Sequence, residues 1–241
     1  MLSLLIALAA GVAVTIPLLF APMHAALAVI IGTVVFAGIY AVILRQVMLK
    51  LNAAVEAAQK SLAANHVEKA VRSLEDIQKK FSRWQFFVKQ QMNSQIGSIF
   101  YLKREFGKAF DYLNQGFSRH WVGMAMLAIC YMKRNQTGKM IETFDKAVAL
   151  SRKEPVLWSV YAFCLEKVGD RDKAIQVMER GLKKVGSDEL MTENLEALRE
   201  GKKMRMQPYG DLWFQFHLEK TGTLLRMQTK AIQGRRKIVR R

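Results

Sequence analysis

Four histidines, two cysteines and one glycine–lysine pair are the residues of this chain whose types could do chemistry. His24, His66, His120 and His217 have no partner at metal-ligand spacing, so they do not make a zinc site. Gly138-Lys139 has the order of a phosphate-binding loop, but Met140 follows where Ser or Thr would hold a magnesium ion, and the upstream glycine is missing. Asn135-Gln136-Thr137 matches a glycosylation acceptor by chance. Cys130 and Cys164 invite a disulfide reading. No catalytic residues, no metal and no cofactor are expected, and the chain is read as a non-enzyme.

The elements that position everything else begin with an uncharged stretch. No Lys, Arg, Asp or Glu occurs before Arg45, so the excess of 37 basic over 20 acidic residues, a net charge of +17, lies wholly in residues 45–241. A bilayer core takes about 20 apolar residues of helix. Residues 2–20 and 25–44 each supply one, around Ala21-Pro22-Met23-His24, where proline breaks the helix. A transmembrane hairpin over 1–46 is expected. The rival is a cleaved signal peptide, which lacks its basic n-region and has only Met23-His24-Ala25 as a cleavage site. Small residues recur four apart at Ala7/Gly11, Ala9/Ala13, Ala28/Gly32 and Ala37/Ala41, a spacing that lets helix backbones approach. Arg45, Lys50, Lys60 and Lys69 follow the second span, which puts the remainder of the chain in the cytoplasm. No Gly or Pro interrupts residues 44–64, so the second span can run into the next element as a stiff arm.

Beyond the membrane segment a short phrase recurs: Lys69-Ala70-Val71, Lys108-Ala109-Phe110, Lys139-Met140-Ile141 and Lys173-Ala174-Ile175. Its middle residues are 39, 31 and 34 apart, close on average to the roughly 34-residue tetratricopeptide period. The last copy is the fullest: Pro155, Trp158, Tyr161, Ala162 and Leu165, then Gly169-Asp170 as a turn and cap, then Ala174, Met178 and Gly181. Earlier copies give Met124, Leu127, Ala128, Tyr131, Met140, Phe144 and Ala147, and before them Ile96, Gly97, Phe100, Ala109, Leu113 and Gly116. A degenerate first copy gives Ala57, Ala58, Ser61, Ala70, Leu74 and Ile77. The set resembles the tetratricopeptide repeat family. The long first spacing implies an extended turn around residues 81–86, and the signature tryptophan occurs once. The expected fold is all-α: a two-helix hairpin, then a solenoid over 51–203 of about four repeats and a capping helix over 187–201, with Ser187 as N-cap. Cys130 and Cys164 then share one position of successive helices. At about 8–10 Å between stacked helices they are too far apart for a disulfide, and two buried thiols are expected.

The resemblance implies which residues line a peptide groove. Carried across, they are Gln91, Ser94, Ser98, Tyr101 and Leu102; Val122, Ala125, Ile129, Met132 and Lys133; and Val156, Ser159, Phe163, Glu166 and Lys167. The carboxylate clamp of chaperone-binding members is absent, leaving an apolar trough at Ile129, Met132 and Phe163. That trough takes either a partner peptide or the chain's own C-terminal segment. Residues 204–241 hold Tyr209, Trp213, Phe214 and Phe216, which pack on the repeats, lie at the membrane interface, or bind a partner. From Lys202 there are 11 basic and 2 acidic residues, and Arg226, Lys230, Arg235, Arg236, Lys237, Arg240 and Arg241 form a tail without an acid. Anionic lipid, nucleic acid, an acidic protein or plain solvation would each account for that tail. The function expected is a membrane-anchored adaptor at the cytoplasmic face of a bacterial inner membrane, binding protein partners. The alternative is a membrane-tethered nucleic-acid or ribosome binder.

Overall fold

The computed structural model describes residues 1–20, 24–85 and 87–219. Ala21, Pro22 and Met23, where a hairpin turn is expected, Phe86, and the basic tail from Arg226 to Arg241 lie outside the described residues. Among the described residues all regular structure is helical: eleven α-helices and one 3-10 turn. The chain divides into two compact units, one of residues 1–100 with 107–123 and one of 101–106 with 124 onward.

The first unit begins with α1 (Leu2–Leu19) and α2 (Ala25–Ala63), both long and apolar enough to cross a membrane. Ser3, Ala7 and Gly11 on α1 and Ala28 and Gly32 on α2 are buried, each set forming one stripe four residues apart. The helices touch through these small residues. A Cβ on Gly11 would stand 3.1 Å from the Gly32 carbonyl oxygen and 3.0 Å from Phe36 Cβ, and one on Gly32 would fall on Thr15 Oγ1. Ala9, Ala13, Ala37 and Ala41 face outward. So do the large side chains: Leu5 is 57% exposed, Ile16 52% and Val34 65%. A helix apolar on its outer face needs an apolar surrounding, and α1 and α2 have no protein there among the described residues.

No glycine or proline stops α2 at its first charge, Arg45, and it continues to Ala63, 39 residues in all, or about 58 Å at 1.5 Å per residue. Its second half is the first helix of the repeats. Val47, Leu51 and Ala58 share a core with Ala70, Val71, Leu74 and Phe81 of α3 (Val67–Phe81) and Val88, Met92, Ile96 and Ile99 of α4 (Phe87–Leu102). The start of α1 is tied to the α3–α4 turn, where Leu2 N donates to the Arg83 carbonyl at 3.0 Å and Ser3 Oγ to the Trp84 carbonyl at 2.7 Å. The short α5 (Phe106–Asn114) crosses α4 closely, since a Cβ on Gly97 would lie 2.7 Å from Leu113 Cγ, and Ala109 is fully buried.

Helix α6 (Trp121–Lys133) starts in the first unit and runs into the second, which holds α7 (Thr137–Leu150), α8 (Pro155–Lys167), α9 (Arg171–Val185) and α10 (Glu189–Arg199). A 3-10 turn (Gln207–Tyr209) and α11 (Asp211–Phe214) follow. Pro155 opens α8 at a position that needs no N–H. Gly169, at φ +93°, turns the chain after α8, and Asp170 caps α9 by accepting from Lys173 N at 3.2 Å. Trp158 lies against Gly181, whose Cβ would come within 2.8 Å of the indole; Phe144 and Tyr161 stack at 4.8 Å. The expected cap of α10 is corrected by one residue. Asp188, not Ser187, precedes the helix, and its Oδ1 accepts from Met191 N at 2.8 Å. Asp188→Ala is therefore expected to destabilise the second unit by about 1 kcal/mol, with Ser187→Ala nearly neutral. Paired urea denaturations check this.

Candidate functional site

The second unit carries the chain's aromatic segment on its own helices. Asn194 of α10 first grips the irregular chain that leaves it, accepting from Arg205 N at 2.6 Å and donating Nδ2 to the Arg205 carbonyl at 3.2 Å. The segment then meets α8, where Tyr209 OH and Ser159 Oγ lie 2.8 Å apart. The Phe163 and Trp213 rings meet edge to face at 4.8 Å, and Lys167 Nζ donates to the Leu218 carbonyl at 3.3 Å. Tyr101 donates its hydroxyl to the Phe216 carbonyl at 2.7 Å, and its ring lies 5.9 Å from the His217 ring. Glu219 closes the turn by accepting from Trp213 Nε1 and Gln207 Nε2, both at 2.9 Å. Trp213 and Phe216 have no exposed surface, while Tyr209 and Phe214 are half-buried.

Four of the residues expected to line a groove, Tyr101, Ser159, Phe163 and Lys167, therefore hold this segment directly. Ala125, Ile129 and Val156 are buried and Met132 is half-buried. Lys133 places its ammonium 4.4 Å from the Phe106 ring centre, and Glu166 pairs with Arg171 at 3.1 Å. Gln91, Ser94 and Ser98 belong to the first unit, where Ser94 Oγ accepts from Phe117 N at 2.7 Å and Ser98 Oγ donates to the Ser94 carbonyl at 2.8 Å. Leu102 is exposed and Val122 half-buried. The expected repeat-core residues Gly97, Ala109, Ala128, Trp158, Ala162 and Ala174 are buried; Tyr131 is half-buried under Lys139. Gln207, Asn194 and Glu219 have roles that the sequence reading did not single out.

The titratable groups here are structural. Burial pushes the Cys130 thiol up to about 11 and Cys164 up to about 12, so neither is a thiolate near neutral pH. Both are free. Burial also raises Tyr101 and takes Tyr209 up to about 12. Three histidines precede helices: His24 before α2, His66 before α3, and His120 before α6, where its Nδ1 accepts from Gly123 N at 3.1 Å.

His217 differs. It is held at φ +51°, with one ring nitrogen (Nε2) 3.1 Å from the Leu102 carbonyl and a buried Nδ1 that has no partner among the described residues. Burial lowers its pKa, and the Arg104 and Lys133 cations lower it further against the opposing Leu102 bond. Lys167 is the other cation on the segment, at Leu218. A histidine whose docked pKa is lowered stabilises docking above its free value of about 6.5, and that contribution is lost as pH falls through this value toward the docked one. The hydrogen-exchange protection factors of residues 204–219, which correct for the intrinsic slowing of exchange in acid, are expected to fall below about pH 6.5 and to lose that dependence in His217→Asn, since asparagine accepts the left-handed backbone.

No family model matches the chain, and no curated protein matches it. Two solved structures of MamA are similar in fold. One matches with TM-score 0.43 and 18% identity over 56% of this chain and 77% of MamA. The other matches with TM-score 0.43 and 16% identity over 76% of this chain and 91% of that one.

Proposed function

We propose that this chain is a membrane-anchored helical adaptor. In this reading α1 and α2 form a hairpin in a bacterial inner membrane, the tetratricopeptide-like repeats of residues 51–203 stand at the cytoplasmic face, and residues 204–241 form a separate functional segment. The observation that carries it is α2, one uninterrupted helix that is uncharged up to Leu44 and from Val47 onward packs as a repeat helix. A flexible tether would only localise the first unit, whereas a continuous helix also fixes its direction. The recruiting surface is the face of the second unit around Met132 and Phe163, and its protein partner is an apolar or aromatic segment that competes with Trp213. Anionic lipid is the ligand of the tail over 226–241.

Photocrosslinking in cells from Met132 tests the adaptor reading. Membrane-fraction protein adducts are expected, increased by Trp213→Ala and abolished by Phe163→Glu. Adducts that consist of RNA and vanish on deletion of residues 226–241 would replace it with the nucleic-acid-binding alternative.

A further inference from the structure

The first unit concentrates positive charge and aromatic rings at one end of the hairpin. Two independent connections fix that level. The first turn of α1 bonds the Arg83 and Trp84 carbonyls. Separately, α2 packs Val47 and Leu51, just past the end of its charge-free stretch, into the core that holds Phe81 and the half-buried Trp84. The turn after α3 thus sits where both apolar helices change from uncharged to charged surroundings.

Around it stand Lys50 of α2, Lys79 and Lys80 in the last turn of α3, and Arg83, all exposed. The Lys50 and Lys80 ammonium groups lie 5.6 and 5.9 Å from the centre of the same Phe81 ring, so cations from two helices converge. Acids are absent from residues 1–55 and 77–104. The nearest in sequence are Asp76, just before the last turn of α3, Glu75, which accepts from Tyr112 OH at 3.0 Å, and Glu56, which pairs with Lys60 at 2.9 Å. Helix-end cations are ordinary complements to a carbonyl-rich terminus. That accounts for Lys79 and Lys80 but not for Lys50, which lies mid-helix, or for Arg83 in the turn.

We infer that Lys50, Lys79, Lys80 and Arg83 form a collar that binds the phosphates of anionic phospholipid headgroups, with Trp84 in the interfacial layer where indoles collect. The inference rests on the membrane reading of α1 and α2. It adds a second lipid contact, built into the folded first unit and separate from the basic tail. The collar holds the base of the α2 arm against the bilayer and limits its tilt.

The test uses the full chain in phosphatidylcholine liposomes with and without phosphatidylglycerol, carrying a bimane label at Ser82→Cys; Cys130 and Cys164 are buried. Quenching of the label by headgroup nitroxide lipid is expected to increase when phosphatidylglycerol is present. In native mass spectrometry from detergent, the chain is expected to retain phosphatidylglycerol over phosphatidylcholine. Retention should fall about fivefold for each collar cation replaced by Gln, with helical content unchanged. Equal retention by the wild type and the Lys50→Gln/Lys79→Gln/Lys80→Gln/Arg83→Gln variant, or loss only on deleting residues 226–241, overturns the collar. A chain that carbonate strips from the liposomes fails the hairpin reading itself, whereas a chain that stays but ignores phosphatidylglycerol fails the collar alone.

Discussion

Trp213→Ala is expected to release residues 204–219 from the second unit and to destabilise that unit by about 3–5 kcal/mol. The indole has no exposed surface, meets Phe163 edge to face, and donates its N–H to Glu219. Truncation removes the largest side chain of the segment and an aromatic pair. It also takes away one of the two donors on a carboxylate whose other contact is Gln207. With the anchor lost, the Tyr101–Phe216 and Ser159–Tyr209 bonds face competition from water, which offers the same hydrogen bonds without ordering the chain. Differential denaturation and limited proteolysis read both effects. A segment as protected in Trp213→Ala as in the wild type would show that its seat does not depend on this ring. Trp213→Phe keeps the ring contact and is expected to lose much less.

Gly32→Leu is expected to separate α1 from α2, with a packing penalty of about 3 kcal/mol, the upper part of the range for overfilled interfaces. Even a Cβ at this position falls on Thr15 Oγ1, and Thr15 is held by its bond to the Gly11 carbonyl at 2.9 Å. The two backbones face each other through Gly11 and Gly32, so neither helix can retreat locally. Gly38, which meets nothing within 4 Å, supplies the control, and Gly38→Leu is expected to leave the hairpin intact. Spin labels at Val12→Cys and Val34→Cys, both exposed, measure the separation by double electron–electron resonance. The distance is expected to lengthen when Gly32→Leu is added and to stay unchanged when Gly38→Leu is added.

Much of the architecture was legible because sterics writes it locally. Helices that cross closely need Gly or Ala at the crossing, so Gly97, Ala109, Ala162, Ala174 and Gly181 mark the repeats. The same logic marked Ala7/Gly11 and Ala28/Gly32, but the equally spaced Ala9/Ala13 and Ala37/Ala41 face outward, since spacing alone does not choose a face. The uninterrupted α2 follows from the missing Gly and Pro between 44 and 64. Ser187 and Asp188 are both good caps, and only the backbone decides which precedes the helix.

The groove was legible in part. Lining positions transferred from the resemblance, but Tyr101 and Ser159 are buried by a segment far away in sequence. A contact between Tyr101 and Phe216 leaves no periodic mark, so the aromatic run announced burial without announcing a surface. The tail from Arg226 to Arg241 is legible in charge alone.

The membrane claim is tested most directly by thiol accessibility along α2 in sealed membranes. Single cysteines at Val29, Val34 and Val42 stand on side chains more than half exposed on the protein, at 53%, 65% and 57%, so among the described residues no protein shields them. They are expected to resist a charged aqueous maleimide, while Asn52→Cys and Gln59→Cys on the same helix react from the cytoplasmic side. Reaction at Val34 as fast as at Gln59, in membranes that remain sealed, would contradict a hairpin in the bilayer.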